Sequence, residues 1–427
     1  MNEVWITLVV MFGLMFFGLP VAFAIAAAAF LGILLSDMPV IVVAQRMLSG
    51  VDSSAMLAVP LFLLMGELMN RAGLTHRLID FVNVLVGRFT GGLGAVNVSA
   101  SMVNGGMSGS ALSDCAMVGS VLIPAMKQSG YTPGYSSAIT AVSSIVGPII
   151  PPSIPFVVYG SIFNVSIGQL FLAGVIPGIL IGATLLATNW AYARLNGIGG
   201  EPPASAAKIR KSFKNGAPIL FTPVLILGGI FGGFFTPTEA AVVGALYVFL
   251  LAVCVYRSLT RHELIEALYR TSISSAVLFL IIAASSAYGW YLARSDVGRL
   301  VLDLFEPIKD NYVLVLLVLN VVFLVFGCFM ETWAIFFLLV PLALPLVKSI
   351  GVDPVHFGLL IVLNLNIGLV TPPFGMCMFI ANQIARSSIG DFARVLGIFL
   401  PVLLGMLALV TYVPMVSLWL PRVFMGG

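Results

Sequence analysis

PAMKQSGYTPGYSSAITAVSSIVGPIIPP, residues 124–152, and PLVKSIGVDPVHFGLLIVLNLNIGLVTPP, residues 345–373, align without a gap at an offset of 221 positions. At that offset Gly106 meets Gly327, Pro124 meets Pro345, Lys127 meets Lys348, Gly130 meets Gly351, Pro133 meets Pro354 and Gly147 meets Gly368. The Pro151-Pro152 doublet falls on Pro372-Pro373. The coincidences lie on glycines, prolines and one lysine, not on the apolar residues that any two membrane segments share. Two halves of the chain therefore bend their backbones at the same places. In a hydrophobic protein, paired Gly/Pro interruptions of corresponding segments point to a transporter whose binding site lies between two repeats.

Composition supports a membrane protein. Of the 427 residues, 60% are hydrophobic and only 9% charged, with a mean hydropathy of +1.11; a soluble domain carries about 25% charge. At ~20 residues per crossing the chain has room for roughly a dozen segments. The one long polar stretch is Asn196–Gly216, which leaves no soluble domain to bind ATP or nucleic acid, and no Walker motif with a Gly-Lys-Ser/Thr ending occurs. Cys115, Cys254, Cys328 and Cys377 sit in apolar surroundings without metal-ligand spacing and read as packing residues. Met1-Asn2-Glu3 lacks the basic region of a signal peptide, so the first apolar segment is expected to stay.

Apolar segments are expected at about 4–18, 20–36 and 55–73, then an amphipathic stretch over 75–88. Two short arms, 91–104 and 115–127, flank the Gly-rich turn from Asn104 to Ser110 and predict a re-entrant hairpin, since neither spans ~30 Å at 1.5 Å per residue. A long helix over 134–164, interrupted from Gly147 to Pro152, and a span over 169–193 complete the half. The second half repeats the order: spans 217–234, 237–256 and 275–293, a hairpin of 313–328 and 333–347 turning between Gly327 and Thr332, a helix over 355–386 broken from Gly368 to Pro373, and a last span over 395–418. The fold expected is an all-α polytopic membrane protein with two inverted-topology repeats, 1–194 and 217–427, joined by a cytoplasmic linker, 195–216. The positive-inside rule sets the orientation. With the basic loop carrying Arg194, Lys208, Arg210, Lys211 and Lys214 placed in the cytoplasm, 14 of the 20 Lys and Arg residues fall on that side. Both termini are then outside, and an odd number of crossings turns the second repeat upside down.

Backbone groups freed at a break inside a membrane must line a polar cavity or be buried in protein. Ser143, Ser144 and Gly147 precede the first break and Ser153 follows it; Asn364, Asn366, Gly368 and Thr371 occupy the second. Oxygen-rich turns beside helix C-termini suit a hard monovalent cation such as Na⁺, whereas helix N-termini favour an anion. The hairpin turns add Ser108, Gly109 and Ser110, and Glu331 and Thr332; Ser110 and Glu331 are related by the 221-residue offset. Each of these residues can equally be a cap that satisfies orphan N–H groups. Ser110, Ser153 and Glu331 are the candidate substrate contacts, and the others the candidate Na⁺ ligands. Glu239, in Thr236-Pro237-Thr238-Glu239, fits a capping box. Asp114 fits both a helix cap and an ion site, and Glu67 is expected at the surface.

These motifs carry a family resemblance. Gly106-Met-Ser-Gly-Ser-Ala111, Gly147-Pro-Ile-Ile-Pro-Pro-Ser153, Phe235-Thr-Pro-Thr-Glu-Ala-Ala241, Asp353-Pro-Val-His-Phe-Gly358 and Gly368-Leu-Val-Thr-Pro-Pro373, in this order, resemble the large membrane subunit of tripartite ATP-independent periplasmic (TRAP) transporters over essentially the full length. The resemblance implies an elevator-type secondary transporter of the bacterial inner membrane, related to divalent-anion/Na⁺ symporters. It implies a small four-helix membrane subunit and a periplasmic substrate-binding protein as partners. It also implies Na⁺ as coupling ion and a small organic acid as substrate, such as a dicarboxylate, sialic acid or sugar acid. The family's two sodium sites would map onto Ser108–Ser110 with Ser143–Gly147, and onto the Glu331 turn with Asn364–Thr371. Such subunits often carry Asp where this chain has Glu331, one methylene longer. A scaffold of about 1–36, 169–256 and 395–427 and a transport body of about 90–165 and 275–388 are expected.

A stand-alone Na⁺/organic-anion symporter is the alternative. An intramembrane serine protease is the distant one: Gly106-Met107-Ser108-Gly109 fits its G-x-S-G pattern, but a serine nucleophile needs a base, and His76, His262 and His356 are expected at membrane surfaces or in loops.

Overall fold

The computed structural model describes residues 2–295, 297–329 and 332–426, in which twenty α-helices and no strand occur. The first half contains α1 (Asn2–Phe16), α2 (Val21–Leu35), α3 (Ile41–Val51), α4 (Ala58–Arg71), α5 (Leu74–Val86), α6 (Gly92–Ser108), α7 (Ala111–Gln128), α8 (Pro133–Ser144), α9 (Ile154–Phe163) and α10 (Ile167–Leu195). The second contains α11 (Ala206–Phe231), α12 (Pro237–Leu250), α13 (Arg261–Arg294), α14 (Val297–Phe305), α15 (Tyr312–Phe329), α16 (Thr332–Ser349), α17 (Pro354–Gly368), α18 (Met376–Ala385), α19 (Ile389–Tyr412) and α20 (Met415–Met425). Among the described residues six helices are long and apolar enough to cross a membrane; α3 with α4, bent by 62°, makes a seventh span if the pair counts as one.

The local chemistry explains the boundaries. Thr132 before Pro133 and Asp353 before Pro354, 221 residues apart, cap α8 and α17, with proline at the first helical position where no N–H is required. Thr236 and Glu239 close both halves of a capping box on α12, so Glu239 is a structural cap. Thr260 and Glu263 do the same for α13.

Both expected hairpins and both broken helices are present. Arms α6 and α7 meet at Gly109, whose φ of +59° is the left-handed conformation glycine tolerates, and Ser110 caps α7. The turn is shorter than the expected Asn104–Ser110, because α6 stays helical through Gly105 and Gly106. Glycine at those positions serves close packing, not turning. The breaks run from Ile145 to Ser153 and from Leu369 to Gly375, each with a cis Pro-Pro peptide.

One helix settles the orientation of the hairpins. At the Ile389 end of α19, Lys127 at the base of hairpin α6–α7 donates to Ala385 O at 2.8 Å. At the other end, Tyr412 donates to Val313 O at the base of hairpin α15–α16, at 3.1 Å. The 24 residues of α19 span ~36 Å at 1.5 Å per residue, so the hairpins enter from opposite ends: the repeats are inverted.

Several elements differ from expectation. The linker 195–216 is half helical, since Ser205 caps α11. Helix α13 begins fourteen residues before the expected 275, in the charged run from Arg261 to Arg270. Helices α3, α14 and α20 were not expected at all.

Packing is set by small residues, as is common between membrane helices. Gly174, Gly178 and Gly182, four residues apart on α10, face Ile149, Ile150 and Met102, so α10 lies directly on the first break and on α6. Tyr135 of α8 stacks on Tyr192 of α10 at 4.2 Å and donates to Asn189 at 2.6 Å. Helix α13 packs instead along α2, α3 and α4: Gly32 lies under the Tyr291 ring, and Gly50 lies against Ser286.

Candidate transport site

Each hairpin meets the broken helix of its own half through a pair of glycines. A Cβ on Gly105 would fall on the Gly147 Cα, and a Cβ on Gly368 would lie 2.7 Å from the Gly327 Cα. Backbone therefore touches backbone at both crossings, which only glycine permits.

Beside each crossing an asparagine of the hairpin arm clamps the broken helix. In the first half Asn97 donates to Thr140 Oγ1 at 2.7 Å and accepts from Ser143 Oγ at 2.8 Å, and Ser101 lies 3.2 Å from Ser143. In the second, Asn364, the offset partner of Ser143, donates to Asn320 Oδ1 at 2.7 Å. Asn320 then donates to Thr411 Oγ1 of α19 at 2.9 Å. His356, expected at a surface, is buried, with its ring nitrogens 2.7 Å from Ser417 Oγ and 3.4 Å from Thr411 O. Its partners lie in this structural network, so it is no base for Ser108.

Of the expected Na⁺ ligands, Ser108 is buried and its hydroxyl has no hydrogen-bond partner among the described residues; neither does Asn364 Oδ1. Ser144 donates to Ala141 O, Asn366 to Val362 O and Thr371 to Ile367 O, each bonding back along its own helix. Asp114 is not a cap, because Ser110 holds that position. It is a fully buried carboxylate: Oδ1 accepts from Asn104 at 2.7 Å, and Oδ2 has no hydrogen-bond partner among the described residues. Ser153 donates to Pro148 O and caps α9. Glu331 lies outside the described residues. Glu67, expected at the surface, is half-buried beside Arg71, which also reaches Glu266 at 3.2 Å.

The two tips and two breaks converge on one cleft of about 90 Å³. Gly109, Ser110, Thr332 and Asn366 line it, closed by Leu63 of α4 and Leu278 of α13. Four helix N-termini open into it: Ala111 and Leu112 of α7, Ile154 and Pro155 of α9, Thr332 and Trp333 of α16, and Met376 of α18. No charged side chain lines it among the described residues. Partial positive charge from four helix ends, with hydroxyl and amide groups, suits a small anion.

The sequence reading missed Asn97, Asn104, Asn320 and Thr411. The available signal was a polar side chain inside an apolar membrane segment, which is functional by default.

A family model described as "Tripartite ATP-independent periplasmic transporter, DctM component" matches residues 8–416. The chain is 42% identical over 417 residues to the sialic acid TRAP transporter large permease protein SiaM of Vibrio cholerae, covering 97% of each chain. It is 37% identical over 423 residues to the sialic acid TRAP transporter permease protein SiaT of Haemophilus influenzae, covering 99% of this chain and 68% of that one. Among solved structures, the Alcanivorax borkumensis YdaH transporter, described as having an unusual topology, superposes with a TM-score of 0.53 over 83% of this chain and 85% of its own, at 14% identity. That likeness concerns the fold alone.

Proposed function

The chain belongs to the DctM family of TRAP transporter large permease proteins, and from that premise we propose that it moves a hydroxylated organic acid, such as sialic acid, inward by Na⁺-coupled elevator transport. As a large permease it is a multi-pass membrane component of a tripartite system. The observation that carries the substrate reading is the convergence of four helix N-termini on one cleft with no charged side chain among its described lining residues. Sodium coupling is supported by buried oxygens left without partners, Ser108 Oγ and Asp114 Oδ2 in one half and Asn364 Oδ1 in the other. Burying a polar group without a partner costs about 1–3 kcal/mol, a cost that a bound cation would remove. A small membrane subunit and a binding protein as partners are supported by the matched family, one component of a tripartite periplasmic transporter.

The proposed moving body comprises α6–α10 and α15–α20, and the frame α1–α5 and α11–α14. This assigns α10, α19 and α20, expected in the scaffold, to the body, because α10 lies on the first break, α19 on α8 and α17, and α20 on α10 and α17. It assigns α13 to the frame, because it packs along α2, α3 and α4.

The test is uptake by proteoliposomes holding both membrane subunits, with a loaded binding protein outside and each component omitted in turn. Uptake is expected to require Na⁺, both membrane subunits and the binding protein. Undiminished uptake without Na⁺ sinks the coupling; undiminished uptake by this chain alone favours the stand-alone symporter. In the same assay, Ser110→Ala is expected to weaken apparent substrate affinity roughly two- to tenfold, the worth of one neutral hydrogen bond. Glu331→Gln and Asp114→Asn are expected to shift mainly the Na⁺ dependence. Parental behaviour of all three on both axes would reduce these residues to structural roles.

A further inference from the structure

Beside the cleft, further along α13 towards Arg294, lies a second and larger chamber of about 620 Å³. The face of α13 that gives Leu278 to the cleft gives Ile282, Ser285 and Gly289 to the chamber, at helical spacing. Helix α9 likewise gives Ile154 to the cleft and Ser161, two turns on, to the chamber. The two spaces are thus stacked along one path.

Hydroxyls dominate the chamber wall: Ser49 and Ser53 at the end of α3, Ser161 on α9, Ser285 and Ser286 on α13. Ser285 lines the chamber and is only 5% exposed, its Oγ buried and without a hydrogen-bond partner among the described residues. Asp52 is the one charged residue among the described lining residues, so the wall repels a carboxylate and favours neutral hydroxyl groups.

Positive charge stands one turn further out. Gly50 of α3 crosses α13 at Ser286; one turn on is Trp290, and Arg46 of α3 and Arg294 of α13 lie 4.8 and 4.9 Å from its ring. Neither guanidinium has a carboxylate partner among the described residues. Two like charges on one ring attract an anion, and the serines below attract a polyol.

We propose that the chamber is a second binding site that holds a polyhydroxylated carboxylic acid, hydroxyls on the serine wall and carboxylate towards Arg46 and Arg294, before it passes to the cleft. The proposal rests on reading the cleft as the transport site. Its volume lies in the ~300–1,000 Å³ range of small-molecule pockets, whereas the cleft of about 90 Å³ must open before a sugar acid fits.

The experiment places Ser285→Cys and, separately, Ser161→Cys in a Cys254→Ser chain, within the assembled transporter, and follows labelling by a charged thiol reagent. Sialic acid and succinate are the protecting probes. Each measurement is repeated with Leu112→Trp, which fills the cleft. Sialic acid is expected to slow labelling at both positions, with or without Leu112→Trp, and succinate to have no effect. Arg46→Gln with Arg294→Gln is expected to raise the protecting concentration roughly tenfold, the equivalent of about 1.4 kcal/mol. Equal protection by succinate, no protection, or protection abolished by Leu112→Trp each overturns the proposal. Uptake of sialic acid by the parent tests the cleft separately: Na⁺-driven uptake without chamber protection removes only the chamber, and protection without uptake leaves the chamber standing while the transport reading falls.

Discussion

Gly105→Val and Gly368→Val are each expected to reduce initial uptake by one to two orders of magnitude at matched expression. At both positions the added carbon meets backbone, the Gly147 Cα in one half and the Gly327 backbone in the other. Backbone cannot rotate away as a flexible side chain can. Overpacking of this kind costs about 1–3 kcal/mol, and that range corresponds to roughly 5–150-fold in an equilibrium. The strain falls where hairpin and broken helix must meet to build the proposed ion sites, so the Na⁺ requirement should rise along with the loss of rate. Gly228→Ala is the control: nothing lies within 4 Å of a Cβ there, and neither uptake nor thermal stability should change. Parental uptake by Gly105→Val would mean that the hairpin does not close on the break during transport.

The other large effect is expected from a crosslink between the proposed frame and moving body. Gly289 of α13 and Pro341 of α16 face each other, with a Gly289 Cβ 3.9 Å from the Pro341 ring. A disulfide in Gly289→Cys/Pro341→Cys should abolish uptake, and reduction should restore it to the level of the single variants. A disulfide within the body, Gly168→Cys with Met425→Cys, should leave uptake near parental, because α10 and α20 would travel together. Equal tolerance of both crosslinks would refute relative movement of the two groups, and inhibition by the second alone would place α10 in the frame.

Glycine and proline made the transport half of the fold legible. Gly109, the two Pro-Pro doublets and the Thr132-Pro133 and Asp353-Pro354 caps fix backbone direction by their own chemistry, so hairpins and breaks occur in the expected order, with the first turn tighter than expected and the break limits shifted by one or two residues. Helices α3, α14 and α20 have 11, 9 and 11 residues; they are too short to give a membrane-span signal, and their spacing is decided by neighbours. The start of α13 was hidden because Arg261-His-Glu-Leu-Ile-Glu266 is polar, although Thr260 and Glu263 form a capping box there. At the site, Gly109, Ser110, Thr332 and Asn366 line one cleft; the first three lie at the punctuated hairpin tips, and Asn366 lies in the last turn of α17 before the second break. Asn97 and Asn320 were not found because each sits mid-arm. Its importance comes from the helix it meets, Ser143 of α8 or Asn364 of α17, and that meeting is set by the glycine crossing rather than by local sequence.

The glycine crossings also show that the two halves are not exact copies of one another. Gly147 and Gly368 keep the common offset, but their partners Gly105 and Gly327 do not: the second hairpin is advanced by one residue. On a helix one residue is ~1.5 Å of rise and about 100° of rotation. The copies have therefore ceased to be interchangeable parts. A tip residue transplanted between them by sequence alignment would arrive on a different side of its helix, so chimaeras must be built on the structural register. Each half can then be altered at its own crossing without a matching change in the other, so the two proposed ion sites can be probed one hairpin at a time.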